Sequence, residues 1–458
     1  MTMARQEMFQ MQLSDAANAL NAELLGDDVA FQRVSTDSRS IGEGELFVAL
    51  HGERFDGHDY VEVAEKNGAV ATMIHRDVQT NLPRIRVDDT RLSLGSLAGY
   101  WRQQFDMPVI AVTGSNGKTT VKEMIAAILS QVGSPLVTQG NLNNDIGLPL
   151  TLLRMQTDHT HAVLEMGANH PGEIAYLVGL GKPDVAMINN AMAAHLEGFG
   201  SLDGVAKAKA EIYAGLSDDG IAVINADDDY AEYWQQQCAG LTQLLFGLSS
   251  NAQVTATDIT STTSGSQFTL VTPDGSTDIA LSLPGKHNVM NALAATACCI
   301  AIKTPLEAIK QGLATLQPVS GRLQTLPGVQ SSKVIHDAYN ANPDSFRSAI
   351  AVLKEHDGRT ILVMGDMGEL GENAAAAHQE IGALAKQQGI NYLFTLGDLS
   401  QAATQGFGDS AEHFSDVASL NERLSNELTA NCCVLVKGSR LMKMERVVEA
   451  ITKQEDAR

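Results

Sequence analysis

From about residue 29 to 87, short apolar runs (LFVAL, GAVATMIH, RIRV) alternate with turns rich in Gly and Asp, the pattern of short strands packed on a core. Thr90 then reads as the cap of an amphipathic helix ending near Phe105. Together these elements predict a small α/β domain over residues 1–107. At Pro108 the texture changes. PVIAVTG is continuously apolar, as a strand buried on both faces must be, and it runs into a glycine loop and a helix expected from Lys118 to Val132. HAVLEMG, DVAMIN and GIAVIN follow at parallel-sheet spacing with helical segments between them, so residues 108–320 are expected to form a doubly wound parallel sheet. Ser/Thr-rich alternation between about 251 and 284 (VTATDI, SQFTLV, DIALSL) predicts a short antiparallel annex, followed by a helix from near Lys286. After Gly321 the rhythm restarts in KVIHDAY, RTILVMG, NYLFTLG and CVLVKGS, which predicts a third, Rossmann-like α/β domain over 321–458.

Length supports that division, because 458 residues with 44% hydrophobic residues make about three domains of ordinary size. Charge narrows the partners. With 32 Lys+Arg against 54 Asp+Glu the chain carries −22, which repels nucleic-acid phosphates and anionic membranes alike. The longest uncharged small or apolar stretch, Ala292 to Ile302, is about half of the roughly 20 residues that cross a bilayer. The N-terminus MTMARQEMFQMQLSD has no signal-like apolar core, so a soluble cytoplasmic protein without membrane insertion is expected. Cys238, Cys298, Cys299, Cys432 and Cys433 include two adjacent pairs and no CxxC spacing. They read as buried thiols rather than a disulfide framework or zinc site. No long apolar helix stripe is left unassigned, so the default is a monomer.

The chemistry is concentrated after the PVIAVTG strand. Gly114, Ser115, Asn116, Gly117, Lys118, Thr119 and Thr120 lie between a strand and a helix, where backbone N–H groups and a helix N-terminus converge on an anion. Lys118 is placed for β/γ-phosphates and Thr119 for Mg²⁺. Val112 stands where the strict Walker pattern has its first Gly, so the loop is a shortened TGxxGKTT form. A metal on triphosphate needs further ligands, which parallel sheets offer at strand C-terminal ends. Glu165 ends HAVLEMG and His195 follows DVAMINN. Lys207 and Lys209 lie in the helical segment VAKAKAEIYAGL, where an exposed cationic face is the ordinary fate of lysine.

TGSNGKTT, the Glu ending the next strand, HLEGFGSLDGVAKAKAEI, GKHNVMNALAA and GRLQ resemble the Mur ligases, ATP-dependent amide-forming enzymes of peptidoglycan synthesis. The likeness spans nearly the whole chain. STDSR at 35–39 with LFVALHGERFDGHDY at 46–60 is similar to the UDP-binding first domain of two branches of that family. HDAYNANPDS at 336–345 and MGDMGELG at 364–371 look like the branch that adds D-alanyl-D-alanine to UDP-N-acetylmuramoyl-tripeptide.

The resemblance implies that Gly114 to Thr120 cradle the ATP phosphates and that Thr119, Glu165 and His195 place Mg²⁺, with two metal sites expected. It implies a carbamylated lysine at Lys209, with Lys207 as the rival. Asn288 is implied as an adenine contact and Asn291 as a weaker one. Arg322, Asp337 and Asn340 would reach the nucleotide from the third domain on closure. Thr36, Asp37, Ser38, Arg39, Asp56, Gly57 and His58 are the implied UDP-sugar contacts, and Asn141, Asn144 and Gly147 would face the muramoyl-peptide. The implied catalytic set is Lys118, Glu165, His195 and Lys209. It would form an acyl phosphate on the tripeptide's terminal carboxylate, which the dipeptide amine then attacks. Two rivals stand beside this reading: another Mur-type ligase or folylpolyglutamate synthase, and a nucleotide-dependent scaffold that keeps the phosphate loop without ligase chemistry.

Overall fold

The computed structural model describes residues 10–193 and 196–453. Three α/β sheets carry the fold. The first has five strands in the order Glu23–Leu25, Arg84–Arg86, Ala69–Ile74, Glu45–Val48, Arg33–Ser35, with only the first pair antiparallel. The second has six, all parallel: Pro135–Val137, His161–Glu165, Val109–Thr113, Val185–Ile188, Ile221–Asn225, Thr242–Phe246. Val109–Thr113 is central and buried at every position, which is why its sequence shows no alternation. Thr255–Thr262, Gly265–Thr272 and Gly275–Leu281 form the expected antiparallel annex. The third sheet runs Gln324–Pro327, Lys333–Asp337, Cys432–Lys437, Arg359–Gly365, Tyr392–Leu396, Ala411–Phe414, parallel except at Gln324–Pro327.

Small residues set how closely the layers meet. The helix Lys286–Ala301 (KHNVMNALAATACCIA) lies against the helix Lys118–Leu129 and buries Ala292, Ala294, Ala295, Cys298 and Cys299 in one core with Val112 and Ile125. All five cysteines are buried free thiols, in agreement with their reading as small hydrophobes. Burial pushes the Cys238 thiol up to about 12.

Two local expectations change. The helix expected to run from Lys118 to Val132 ends at Leu129. Asp89, not Thr90, caps the helix Thr90–Arg102, its carboxylate accepting from the N–H groups of Arg91 and Leu92. Thr90 is buried instead, and its hydroxyl donates to the Ala49 carbonyl at 2.9 Å. That helix also packs on the helices Gly147–Leu152 and Glu173–Gly181, and Trp101 Nε1 donates to the Met155 carbonyl. Its core is therefore continuous with the central sheet beyond residue 107. Among the described residues no helix is long and apolar enough to cross a membrane.

Candidate functional site

The phosphate loop leaves the central strand at Thr113 and enters the helix Lys118–Leu129 through Gly117, the N-cap residue, at φ 80°. Only glycine fits there. A Cβ on Gly117 would lie 2.4 Å from Asn189 Nδ2 and 2.5 Å from Asn291 Oδ1. Lys118 folds back so that Nζ donates to the carbonyls of Gly114 (2.7 Å) and Ser115 (3.2 Å). Burial lowers the Lys118 pKa, Glu165 opposes that shift and Arg322 adds to it. Thr120, in the first helical turn, lines a narrow cleft with Arg322.

Thr119 and Glu165 meet. The Thr119 hydroxyl donates to Glu165 Oε2 at 2.9 Å, and Asn143 Nδ2 donates to Oε1 at 2.8 Å. Both Thr119 and Glu165 are buried. From the third sheet's side Arg322 Nη2 reaches Thr119 Oγ1 at 3.0 Å, while its guanidinium lies 4.3 Å from the centre of the Tyr339 ring. A hydroxyl and a carboxylate side by side at the C-terminal edge of parallel strands form a hard-oxygen donor pair, which fits Mg²⁺ shared with phosphate oxygens. His195 lies outside the described residues.

The two candidate lysines part company. Lys207 is exposed, whereas Lys209 is buried at 3% exposure. Lys209 Nζ sits 5.9 Å from the Phe199 ring centre, and no carboxylate pairs with it among the described residues. Burial, aided by the charge on Lys118, holds its pKa well below the usual lysine value. Burial thus favours the neutral form of this amine, the form that can attack CO₂.

Asparagines knit the loop to its surroundings. Asn189 Nδ2 donates to the Asn116 carbonyl and to Asn291 Oδ1, each at 2.9 Å, and Asn190 Oδ1 accepts from the Asn116 N–H at 2.9 Å. Asn225 Nδ2 donates to the Asn189 carbonyl at 2.8 Å. Asn288 donates to the Pro284 carbonyl and accepts from Asn291 Nδ2 at 3.1 Å. Asn342 caps the helix Pro343–Leu353, and its Nδ2 donates to Asn116 Oδ1 at 2.8 Å, tying the third sheet's side to the loop. Asn189, Asn190, Asn225, Asn342 and Asn143 are not among the residues marked from sequence. Their signal was position, since Asn189 and Asn225 sit at strand C-terminal ends just as Glu165 does.

Asp337 is engaged within the third sheet. Its carboxylate accepts from Lys437 Nζ at 2.6 Å and from the Leu323 N–H at 3.0 Å, and the same Nζ donates to the Asn340 carbonyl. The Asn340 side chain is exposed. His287, at the start of the helix Lys286–Ala301, is held down to about 4 by burial, with Asp337 opposing and Lys437 reinforcing that shift.

The first-region candidates largely satisfy one another. Arg39 grips Asp37 through Nε (2.9 Å) and Nη2 (2.7 Å). Ser38 is buried, and its carbonyl accepts from Asn67. Thr36 is half-buried after the strand Arg33–Ser35. Asp56 accepts from the His58 N–H, lies 2.6 Å from His58 Nδ1 and takes Arg76 Nε at 2.9 Å, while His58 Nε2 accepts from the His75 N–H. A Cβ on Gly57 would press on the Leu50 backbone at 2.7 Å. In GNLNNDIGLP, Asn144 Oδ1 accepts from the Gly147 N–H at 2.9 Å, Asn141 is exposed, and Asn143 turns inward to Glu165.

With this geometry in place, comparison with known proteins adds three family models along the chain. Residues 30–102 match the Mur ligase family catalytic domain, 112–299 the Mur ligase middle domain, and 321–440 the Mur ligase glutamate ligase domain. The chain is 47% identical to the UDP-N-acetylmuramoyl-tripeptide--D-alanyl-D-alanine ligase of Escherichia coli strain K12, covering 97% of this chain and 99% of that one. A MurF crystal structure from Acinetobacter baumannii superposes with a TM-score of 0.92 at 36% identity, over 96% of this chain and 98% of that one. The MurF ligase of Thermotoga maritima in complex with ADP gives a TM-score of 0.81 at 28% identity, over 91% and 96% of the two chains. Matched along its length in sequence and in structure, this chain belongs to the Mur ligase family.

Proposed function

We infer that this chain is an ATP-dependent amide ligase that joins D-alanyl-D-alanine to UDP-N-acetylmuramoyl-tripeptide, making the pentapeptide precursor of peptidoglycan and releasing ADP and phosphate. The observation that carries this reading is the convergence of Lys118, Thr119 and Glu165 with Arg322 on one phosphate loop. The reading also rests on whole-length likeness to relatives that bear that activity in their names. Residues 1–107 would hold the UDP-sugar, 108–320 the ATP, and 321–458 the dipeptide. The enzyme would act in the cytoplasm, as a monomer.

Gly114 to Thr120 and the helix N-terminus would cradle the ATP phosphates, with Lys118 released from its loop carbonyls to reach the β/γ oxygens. Thr119, Glu165, His195 and carbamylated Lys209 would hold Mg²⁺, which supplies charge neutralisation on the phosphoryl oxygens. Asn288 and Asn291 would face the adenine. The tripeptide carboxylate attacks the γ-phosphoryl, giving an acyl phosphate and ADP. The dipeptide amine then attacks the acyl carbon, and phosphate leaves. Lys118 and Arg322 stabilise the anions formed at each stage, and the contact of Arg322 and Asn342 with the loop keeps water from the acyl phosphate. Arg39 and the Asp56 turn would take the UDP end, and Asn141, Asn144 and Gly147 the muramoyl-peptide. The test is whether phosphate release from ATP requires both the muramoyl-tripeptide and the dipeptide.

A further inference from the structure

Lys122 is a charge that the chemistry of the phosphate loop leaves unexplained. It lies in the helix Lys118–Leu129, three residues after Thr119 and so on the same face, yet it is 1% exposed. A methionine would fill that place without desolvating an ammonium, and lysine is seldom buried unless a partner holds it. Lys122 Nζ donates to the Thr138 carbonyl at 2.8 Å and pairs with the Glu123 carboxylate at 2.7 Å. Glu123 is partly exposed, whereas Thr138 is buried. Water can therefore serve the carboxylate, but the Thr138 carbonyl depends on the lysine.

Thr138 closes an edge strand with its side chain. Its N–H donates to the Val163 carbonyl at 3.1 Å, continuing the parallel pairing of Pro135–Val137 with His161–Glu165. The next rung of such a ladder would set the Glu165 N–H on the Thr138 carbonyl. The Thr138 hydroxyl accepts that N–H instead, at 3.0 Å, and the carbonyl is turned to Lys122. Beyond Thr138 the chain leaves the sheet and returns at Asn143, whose Nδ2 donates to Glu165 Oε1 and whose carbonyl accepts from the Gly167 N–H, each at 2.8 Å. Glu165 is thus held at its backbone by Thr138, at one carboxylate oxygen by Asn143 and at the other by Thr119.

We propose that Lys122 is a positioning residue for the Mg²⁺ site, capturing the Thr138 carbonyl so that the Thr138 hydroxyl is left to Glu165 and the chain turns to bring Asn143 onto the carboxylate. Lys122 acts through Thr138 and Glu165. Without it the ordinary rung, Glu165 N–H to Thr138 carbonyl, can form, and the start of the turn toward Asn143 shifts with it. The proposal rests on the reading of Thr119 and Glu165 as Mg²⁺ ligands.

Its test is Mn²⁺ binding to the ADP complex, followed by electron paramagnetic resonance, with ADP affinity in the absence of metal measured alongside. Lys122→Met should weaken Mn²⁺ binding by about 10-fold, the scale on which partners that orient a metal ligand act, and leave metal-free ADP binding within about twofold of the parent. Thr138→Val keeps the carbonyl and removes the hydroxyl. It should weaken Mn²⁺ binding to a similar degree, and Thr138→Ser should restore it. The double variant should cost little more than either single one, because both changes break the same chain of contacts. A Lys122→Met enzyme that binds Mn²⁺ as the parent does, or that loses metal-free ADP binding in equal measure, overturns the assignment. If Lys122→Met does not fold, Thr138→Val decides, and parent-like Mn²⁺ binding there overturns the assignment as well. Glu165→Ala separates the two levels: Mn²⁺ binding unchanged in that variant would strike the metal-site reading itself.

Discussion

Arg322 and Thr119 are 203 residues apart in sequence and 3.0 Å apart in the fold, the guanidinium Nη2 donating to the hydroxyl oxygen. The hydroxyl in turn donates a hydrogen bond to Glu165 Oε2, so a cation from the third sheet's side and a central-sheet carboxylate act on one oxygen. Arg322→Ala should therefore lower kcat/KM for ATP by about 100-fold, the scale of losing one positioned donor to developing charge. KM for the muramoyl-tripeptide should move far less. Arg322→Lys should recover only part, because an ammonium cannot both stack on Tyr339 and reach Thr119 as the guanidinium does. Steady-state kinetics with each substrate varied in turn checks this.

Lys209 should carry a carbamate and Lys207 should not. The depressed pKa of Lys209 makes its neutral amine available, and occupancy should fall as pH drops and the amine takes up a proton. In ¹³CO₂-equilibrated buffer, a carbamate carbon signal should appear in the unaltered protein, persist in Lys207→Ala and vanish in Lys209→Ala. Activity should follow the signal, with Lys209→Ala down by about 100-fold or more and Lys207→Ala within about twofold of the parent. Loss of the signal in Lys207→Ala alone would exchange the two assignments.

The buried pair Lys437 and Asp337 should be costly to break. Both are nearly out of solvent and 2.6 Å apart, so Lys437→Met would leave a carboxylate buried without its cation. The expected loss is about 3–5 kcal/mol in unfolding free energy. Adding Asp337→Asn to that variant should recover much of it. Urea unfolding followed by circular dichroism measures both.

Stability should also carry the mark of His287. In the unfolded chain this imidazole takes a proton near 6.5, whereas in the fold burial delays protonation to about 4. The unfolded state therefore binds more protons between those values. Its contribution is present above pH 6.5 and is lost as pH falls through 6.5 toward 4, at up to about 1.4 kcal/mol per pH unit. His287→Gln should flatten that part of the profile, read as the difference between variant and parent in urea unfolding at pH 5 and pH 7.

The phosphate loop was legible because its chemistry is local. Glycine, lysine and threonine spacing between a strand and a helix is written within eight residues. Glu165 was legible for a related reason, since a parallel strand ends on it. Of the asparagine cluster only Asn116 and Asn291 were, because Asn189, Asn225 and Asn342 come from three further segments, and each alone reads as a cap or a turn. Lys437 was missed as the last residue of an apolar strand, where only the partner carboxylate explains a charge. Among the strands of the central and third sheets, Pro135–Val137, Thr242–Phe246, Gln324–Pro327 and Ala411–Phe414 escaped notice. All four lie at sheet edges, and Gln324–Pro327 ends on proline, which a ladder interior would not tolerate. In the first region, Asp56 and His58 read from sequence as ligand groups, and the fold engages them with Arg76, His75 and each other.

Phosphate release from ATP and Mg²⁺ with UDP-N-acetylmuramoyl-tripeptide held fixed is the measurement that bears most directly on the ligase reading. The acceptors to compare are D-alanyl-D-alanine, D-alanine, L-lysine and meso-diaminopimelate. Release that depends on the dipeptide and not on the free amino acids is the expected result. Release driven by a free diamino acid, or release with no amine at all, would contradict it.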